Sequence, residues 1–315
     1  MKMKALFTYD YGHENMNRIR ALGYEIRYVH EREAKIDVQN KDAEVLVCYN
    51  PFSTLDITQM KHLKWIQLSS IGIDQAPLDY IKTKGILLTN NKGGYSIPMG
   101  EWIVMKVLEM YKNSRKLYAQ QQNKQWKMDK SLLELYGKTL GFIGTGSIAI
   151  EAAKRLQGFG VKTLGLNTLG KQVKYFDACY PMGSMKEMLK KCDVVILTIP
   201  YTAKTHHLIN KDTMNAMKDQ VYLVNVSRGS IIDEKALISY LKQGKIRGAA
   251  LDVFEEEPLS QDSPLWNLEH VIVTPHNSWI SEMGNVRRFE MIYENLSRYI
   301  KGEVLKNRIE VEKGY

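Results

Sequence analysis

Cysteine is scarce in this chain: Cys48, Cys179 and Cys192 are the only three, far apart and odd in number. That excludes a disulfide framework and offers no metal-ligand spacing, so no metal is expected and the thiols read as reduced packing residues of a cytoplasmic protein. Long apolar runs are also missing; none approaches the ~20 residues a membrane-spanning helix needs. No leader pattern precedes the first strand-like run, Ala5-Leu6-Phe7-Thr8, so a secretory signal is not expected. Arginine-rich blocks, zinc-finger spacing and basic heptads are absent. The net charge of +9 comes from scattered lysines. It reads as solubility and attraction for anionic small molecules, and no nucleic-acid partner is expected.

What is present suits two domains with real cores: 315 residues, 44% of them apolar. Strand-like runs recur at Ala5–Thr8, Tyr24–Val29, Glu44–Cys48, Trp65–Leu68 and Ile86–Leu88. Helical or loop segments separate them, which predicts a parallel sheet with crossover helices. The loop after the fourth run, Ser69-Ser70-Ile71-Gly72-Ile73-Asp74, can offer backbone N–H groups to a substrate carboxylate. Its plain alternative is a strand-to-helix turn. Asn90 to Pro98 reads as a linker, with Ser96 or Ile97 opening a helix and Pro98 in its first turn. That helix is expected to continue to Gln122 and to hold Glu101 paired rather than solvated.

The segment from Lys138 to Asn167 organises the second half. Thr139-Leu140-Gly141-Phe142-Ile143 reads as a buried strand, Gly144-Thr145-Gly146 as a turn, Ile148 to Phe159 as a helix, and Val161 to Leu166 as a second strand. This is a βαβ unit of about the usual ~30 residues. Gly144 allows the sharp turn, and Gly146 removes a side chain where a pyrophosphate must approach the helix N-terminus. Ala149 fills the third position of the glycine fingerprint, where close helix–strand packing is needed. An acid normally follows the second strand and binds the ribose 2′-hydroxyl of NAD. Here Asn167 stands there, followed by Thr168 and Lys171, with Lys174 nearby. With no carboxylate to repel a 2′-phosphate, the reading favours NADP over NAD. The alternative is that the lysines are solvated and Asn167 serves NAD.

Further strands are expected at Asp193–Ile199, Val221–Val226, Ala249–Phe254 and Val271–Thr274. Ser184-Met185-Lys186-Glu187 reads as a capping box, Asp233 as a helix N-cap, and Ser281 to Ile300 as a last helix returning to the first domain. Arg228, Glu257 and His276 follow three of these strands, where open α/β sheets bind ligands. Arg can clamp a carboxylate and an adjacent carbonyl, and His can give or take a proton. A carboxylate beside that His favours its charged form. Beside a hydride donor, the set describes reduction of a 2-keto acid. Singly, each has a plain alternative: a surface arginine, a solvated acid, a loop-capping histidine.

Taken together, Gly144-x-Gly146-x-x-Ala149, Asn225-Val226-Ser227-Arg228-Gly229, Gly248-Ala249-Ala250-Leu251-Asp252-Val253-Phe254-x-x-Glu257-Pro258 and Thr274-Pro275-His276 resemble the D-isomer-specific 2-hydroxyacid dehydrogenase family across essentially the whole chain. The resemblance implies two doubly wound parallel-sheet α/β domains. One is a Rossmann nucleotide-binding domain at 98–279. The other is a flavodoxin-like substrate domain made from 1–97 plus 280–315. It implies hydride transfer between a nicotinamide cofactor and a small D-2-hydroxy or 2-keto acid, and a homodimer formed through the nucleotide-binding domain. By the same likeness Arg228 binds and polarises the keto acid, Glu257 tunes the histidine and His276 is the acid/base. Ser147, Ile148, Asn167, Val226, Ser227, Arg228 and Asp252 fall on cofactor-contacting positions beside Gly144 and Gly146, Asp252 near the nicotinamide end. Ser70, Ile71 and Gly72, with Arg228, fall on the substrate site. Two departures stand out: Asn167 in place of the usual acid, and Ser70 where many relatives have glycine. The ending at Tyr315 carries no segment expected to give serine-binding control. The alternative function is a corepressor-like interaction protein that senses dinucleotide on the same fold.

Overall fold

Short apolar runs buried on both faces make parallel strands, and both halves of this chain are built from them. The computed structural model describes residues 2–311. Its contacts divide the chain into two units, one formed by the chain up to Tyr95 with the chain from Ser281, the other by Ser96–Ile280.

The first unit contains β1 (Met3–Phe7), α1 (His13–Ala21), β2 (Tyr24–Tyr28), β3 (Val45–Cys48), β4 (Trp65–Leu68), α2 (Leu78–Lys84) and β5 (Leu87–Thr89). The sheet order is β2-β1-β3-β4-β5, and every pairing is parallel. The winding direction reverses between β1 and β3, so the loops after β1, β3 and β4 lie at the ligand-binding end of such a sheet. β3 and β4 are buried at every position.

The second unit opens with α3 (Ser96–Tyr111) and α4 (Ser114–Gln122). The sequence predicts one helix here; the structure breaks it at Asn113, whose φ of 50° is left-handed. Asn is one of the few residues that tolerate this conformation. Glu101 bonds Arg155 at 3.1 Å but keeps 60% of its side chain exposed, so it is paired and solvated at once. Next come β6 (Thr139–Ile143), α5 (Ser147–Leu156), β7 (Lys162–Asn167), β8 (Ala178–Pro181), α6 (Met185–Leu189), β9 (Val194–Leu197), α7 (Lys211–Asn215), β10 (Val221–Asn225), α8 (Glu234–Lys242), β11 (Ile246–Leu251) and β12 (Val271–Val273). They form a parallel sheet ordered β12-β11-β10-β9-β6-β7-β8, reversing between β6 and β9. β8 is not expected from the sequence. It is a four-residue edge strand, only partly buried, that ends in proline.

Two caps differ from expectation. Ser184 precedes α6, but its side chain makes no cap bond, because Met182–Ser184 already turn as a 3-10 helix. A reciprocal capping box forms instead at Asn210 and Thr213, before α7. Asp233 does cap α8, accepting from the Ala236 N–H at 2.9 Å.

The chain then re-enters the first unit as α9 (Gly284–Ile300). Phe289, Ile292 and Leu296 pack with Ala5, Phe7, Val45 and Trp65 in one buried cluster. Each such side chain stabilises by about 1.5–3 kcal/mol relative to exposure. Fully buried Asn295 donates to Gln67 Oε1 at 2.8 Å, which also accepts from Thr89 Oγ1 at 2.8 Å. Trp65 Nε1 donates to that same Thr89 oxygen at 2.8 Å. A polar chain thereby ties α9 to β4 and β5.

Candidate active site

His276 stands on a loop that one buried carboxylate holds in shape. After β12, His276 adopts a left-handed φ of 51°, with its N–H directed to the Asp252 carbonyl at 2.9 Å. Asp252 is fully buried. Its Oδ1 accepts from Thr274 Oγ1 at 2.6 Å and the Asn277 N–H at 3.1 Å, and its Oδ2 from the Ser278 N–H at 2.9 Å. These charge-assisted bonds compensate the burial of the carboxylate and stabilise the backbone turn. Asp252, expected at the nicotinamide end of the cofactor site, thus uses its carboxylate to shape the loop that presents His276. This role was not foreseen from sequence. An acid inside the apolar run Ala249–Phe254 is the signal that could have suggested it.

The His276 ring meets Glu257 directly, Nδ1 to Oε2 at 2.8 Å. Glu257 Oε1 accepts from the Phe254 N–H at 3.1 Å. Burial pushes the Glu257 carboxyl up, but the bonds from His276 and Phe254 and the nearby charges of His276 and Arg228 outweigh it. The net result lies below the ordinary carboxylate value. With Nδ1 engaged, Nε2 is the nitrogen left to exchange a proton with a ligand.

Arg228 follows β10 on a turn shaped by fully buried Asn225. The Asn225 amide donates to the Arg228 carbonyl at 3.0 Å and accepts from the Ser227 N–H at 3.0 Å. Gly229 then packs so tightly that a Cβ there would lie 1.8 Å from the Phe254 carbonyl carbon. Only glycine permits this approach of the Arg228 turn to the segment leading to Glu257. The structure therefore brings Arg228, Glu257 and His276 to neighbouring strand ends.

The dinucleotide fingerprint is also assembled. Gly144 has φ 99°, and a Cβ on it would lie 2.8 Å from the Thr198 carbonyl oxygen. Around Gly146 a Cβ would meet nothing within 4 Å. Protein packing thus gives no reason for glycine at 146, whereas the close approach of a phosphate does, so these residues fit a dinucleotide. α5 begins immediately after it, with no side chain capping its N-terminus, so the amides of Ser147 and Ile148 are available to an anion. Ala149 is fully buried. Val226 is buried, and Ser227 Oγ donates to the Ile199 carbonyl at 2.8 Å.

Asn167 closes on its own loop. Its amide nitrogen donates to Thr145 Oγ1 at 3.2 Å and the Lys171 carbonyl at 2.8 Å, while its oxygen accepts from the Lys171 N–H at 3.0 Å. Both amide protons are in use, so the Asn167 side chain shapes its own loop. Exposed Thr168 and Lys171 ride on that loop. Lys174 lies over the Tyr175 ring at 4.9 Å.

In the first unit, the Ser70–Gly72 loop has its carbonyls tied down. Ser69 O accepts from Tyr95 OH at 2.5 Å, Ser70 O from the Asn91 N–H at 2.8 Å, and Ile71 O from Asn90 Nδ2 at 2.7 Å. Ser70 Oγ donates to Gly72 O at 2.8 Å and accepts from Gln75 at 2.8 Å. Among the described residues, the amides of Ser70, Ile71 and Gly72 donate to nothing. The serine side chain is turned into the loop, and what the loop offers a ligand is backbone N–H.

The model of the "D-isomer specific 2-hydroxyacid dehydrogenase, NAD binding domain" matches residues 104–278. The chain belongs to the D-isomer-specific 2-hydroxyacid dehydrogenases. This dehydrogenase-family chain is 35% identical to a D-3-phosphoglycerate dehydrogenase of Methanocaldococcus jannaschii over 85% of its own length, but it spans only 52% of that relative. With a glyoxylate reductase of Thermofilum pendens it shares 31% identity, covering 85% of this chain and 81% of the relative. A solved D-lactate dehydrogenase of Aquifex aeolicus, complexed with NAD and lactic acid, superposes with TM-score 0.76 at 28% identity over 95% of this chain and 96% of that one. Among the described residues no group of three His, Cys, Asp or Glu is placed to hold a metal, and no helix is long and apolar enough to cross a membrane.

Proposed function

We propose that this protein reduces a small 2-keto acid to the D-2-hydroxy acid, reversibly, with a nicotinamide dinucleotide. The observation carrying this reading is the Glu257–His276 pair on a loop stapled by Asp252, beside the Arg228 turn. Gly144, Gly146, Ser147 and Ile148 would hold the dinucleotide pyrophosphate, with Val226 and Ser227 along its path. When bound, the dinucleotide supplies the hydride for C2 of the keto acid.

The protein's own groups do the rest. The unpaired amides of Ser70, Ile71 and Gly72 receive the substrate carboxylate. Arg228 binds the carboxylate and keto oxygen and stabilises the alkoxide as it forms. His276 Nε2 delivers the proton to that oxygen, and Glu257 orients the ring through its bond to Nδ1. In the reverse direction neutral His276 takes the proton from the hydroxyl.

NADP is the proposed cofactor. Asn167 brings no negative charge to the ribose, and the exposed Thr168 and Lys171 flank the same loop. A homodimer through the nucleotide-binding unit is also proposed. Tyr118, Trp126, Met128, Leu132 and Tyr136 are exposed large apolar side chains in one stretch, a concentration rarely left to water.

The test is an initial-rate assay with NADPH or NADH against glyoxylate, hydroxypyruvate, pyruvate, phenylpyruvate and branched 2-keto acids. Turnover that His276→Ala lowers about 10²–10⁴-fold supports the reading. No turnover in a preparation that binds dinucleotide tightly would instead favour a sensing role.

A further inference from the structure

The end of α9 carries a charge arrangement that stability alone does not explain. Arg287 and Arg288 lie near its N-terminus, and no acidic residue stands in the first turn. Cations there oppose the helix dipole. Among the described residues no carboxylate lies within ion-pair distance of either. Arg287 is occupied by its own unit, donating to the Gly94 carbonyl at 3.3 Å and Ser281 Oγ at 2.9 Å.

Arg288 is different. Its guanidinium carbon lies 4.8 Å from the centre of the Tyr9 ring and 5.8 Å from that of Tyr11. Nη1 reaches Tyr95 OH only at 3.5 Å, and Nη2 bonds Asn285 on the same helix. Nε is buried without a partner, and so is the hydroxyl of Tyr11. A half-buried cation with no carboxylate partner and an unsatisfied Nε, beside an orphan hydroxyl, is unfavourable unless an anion completes it. The location is specific. Tyr9 and Tyr11 follow β1, and the Tyr95 hydroxyl that meets Arg288 also bonds Ser69 O at 2.5 Å, at the start of the Ser70–Gly72 loop.

We propose that Arg288 and the Tyr11 hydroxyl form a second anion subsite, which takes a carboxylate at the far end of the substrate and makes this protein selective for 2-keto dicarboxylic acids. This rests on the reading that Ser70–Gly72 receives the first carboxylate. The planar guanidinium fork matches a carboxylate, which displaces the bond to Asn285 and the long contact to Tyr95. Tyr9, 44% exposed, is the ring able to move aside to admit it.

Oxaloacetate and pyruvate differ by one carboxylate, so the ratio of their kcat/KM values reads the subsite. The wild type should prefer oxaloacetate, Arg288→Met should lower the ratio at least tenfold, and Tyr11→Phe should lower it severalfold. A wild type without that preference, or an Arg288→Met ratio equal to wild type, overturns the proposal. Should Arg288→Met not fold, Arg288→Lys keeps the charge without the fork and should still lower the ratio severalfold; an unchanged ratio overturns it.

A calorimetric arm separates this subsite from the catalytic reading. With NADPH present, D-malate should bind more tightly than D-lactate, and the Arg288 variants should erase the difference. That result in a protein that turns over no keto acid would reject the proposed reaction and retain the subsite. Equal affinities in the wild type would reject the subsite, whatever the turnover.

Discussion

At the residue scale the site rests on how two carboxylates are used. Glu257 is half-exposed and bonded to His276; Asp252 is buried and bonded to the loop behind it. Glu257→Gln keeps the shape but loses the carboxylate bonded to the imidazole. Its reduction rate should fall about tenfold or more, as initial-rate assays of the two proteins would show. Glu257 also links pH to stability. Its carboxyl is held below the ordinary value of 4.5, so the stabilisation is present above that value and lost as pH falls through the lowered one. Thermal melts of wild type and Glu257→Gln should therefore differ by a constant amount above about pH 5 and converge in stronger acid. Asn167→Asp places a negative charge beside any 2′-phosphate. It should raise KM for NADPH relative to NADH at least tenfold, as paired steady-state assays would read.

At the element scale, close backbone approach decides where the site residues stand. Gly229 lets the turn after β10 press against the Phe254–Glu255 backbone. Gly229→Ala cannot be accommodated without separating the two segments. It should destabilise the protein by about 1–3 kcal/mol or more in urea titration. It should also depress kcat/KM, because Arg228 moves with the turn. The sheet strands were legible in the sequence because their apolar runs bracket turn residues; the β6 strand, Thr139–Ile143, matches its expected span residue for residue. β8 was not legible, because it is a short, partly exposed edge strand that ends in proline. The break between α3 and α4 was hidden too. An asparagine at φ 50° looks like any other asparagine in a helical pattern. The absent capping box at Ser184 shows the same limit: the residue pattern was present, but the preceding turn took a different path.

At the scale of the whole molecule, the exposed apolar stretch from Tyr118 to Tyr136 is the feature that a lone chain leaves unexplained. Trp126 is fully exposed and Met128 nearly so. If this stretch covers a second copy, Trp126→Glu should shift the sedimenting species from dimer to monomer, as equilibrium ultracentrifugation would show. A wild type that is monomeric at micromolar concentration would remove the proposal.

The sequence alone determined the family and the two parallel sheets, and it singled out Arg228, Glu257 and His276, which the structure places just past neighbouring strands. Those follow from local signals: apolar runs, glycines where the chain must turn, and polar residues just past strand ends. Only the tertiary structure decided what the remaining polar groups do. Asp252 became the staple of the His276 loop, Asn167 closed on its own loop, Ser70 turned its hydroxyl inward, and Arg288 was left beside the rings of Tyr9 and Tyr11 just past β1. The physical reason is that a polar side chain's role is set by which donors and acceptors reach it in space. Partners tens or hundreds of residues away cannot be read from its neighbours in the chain.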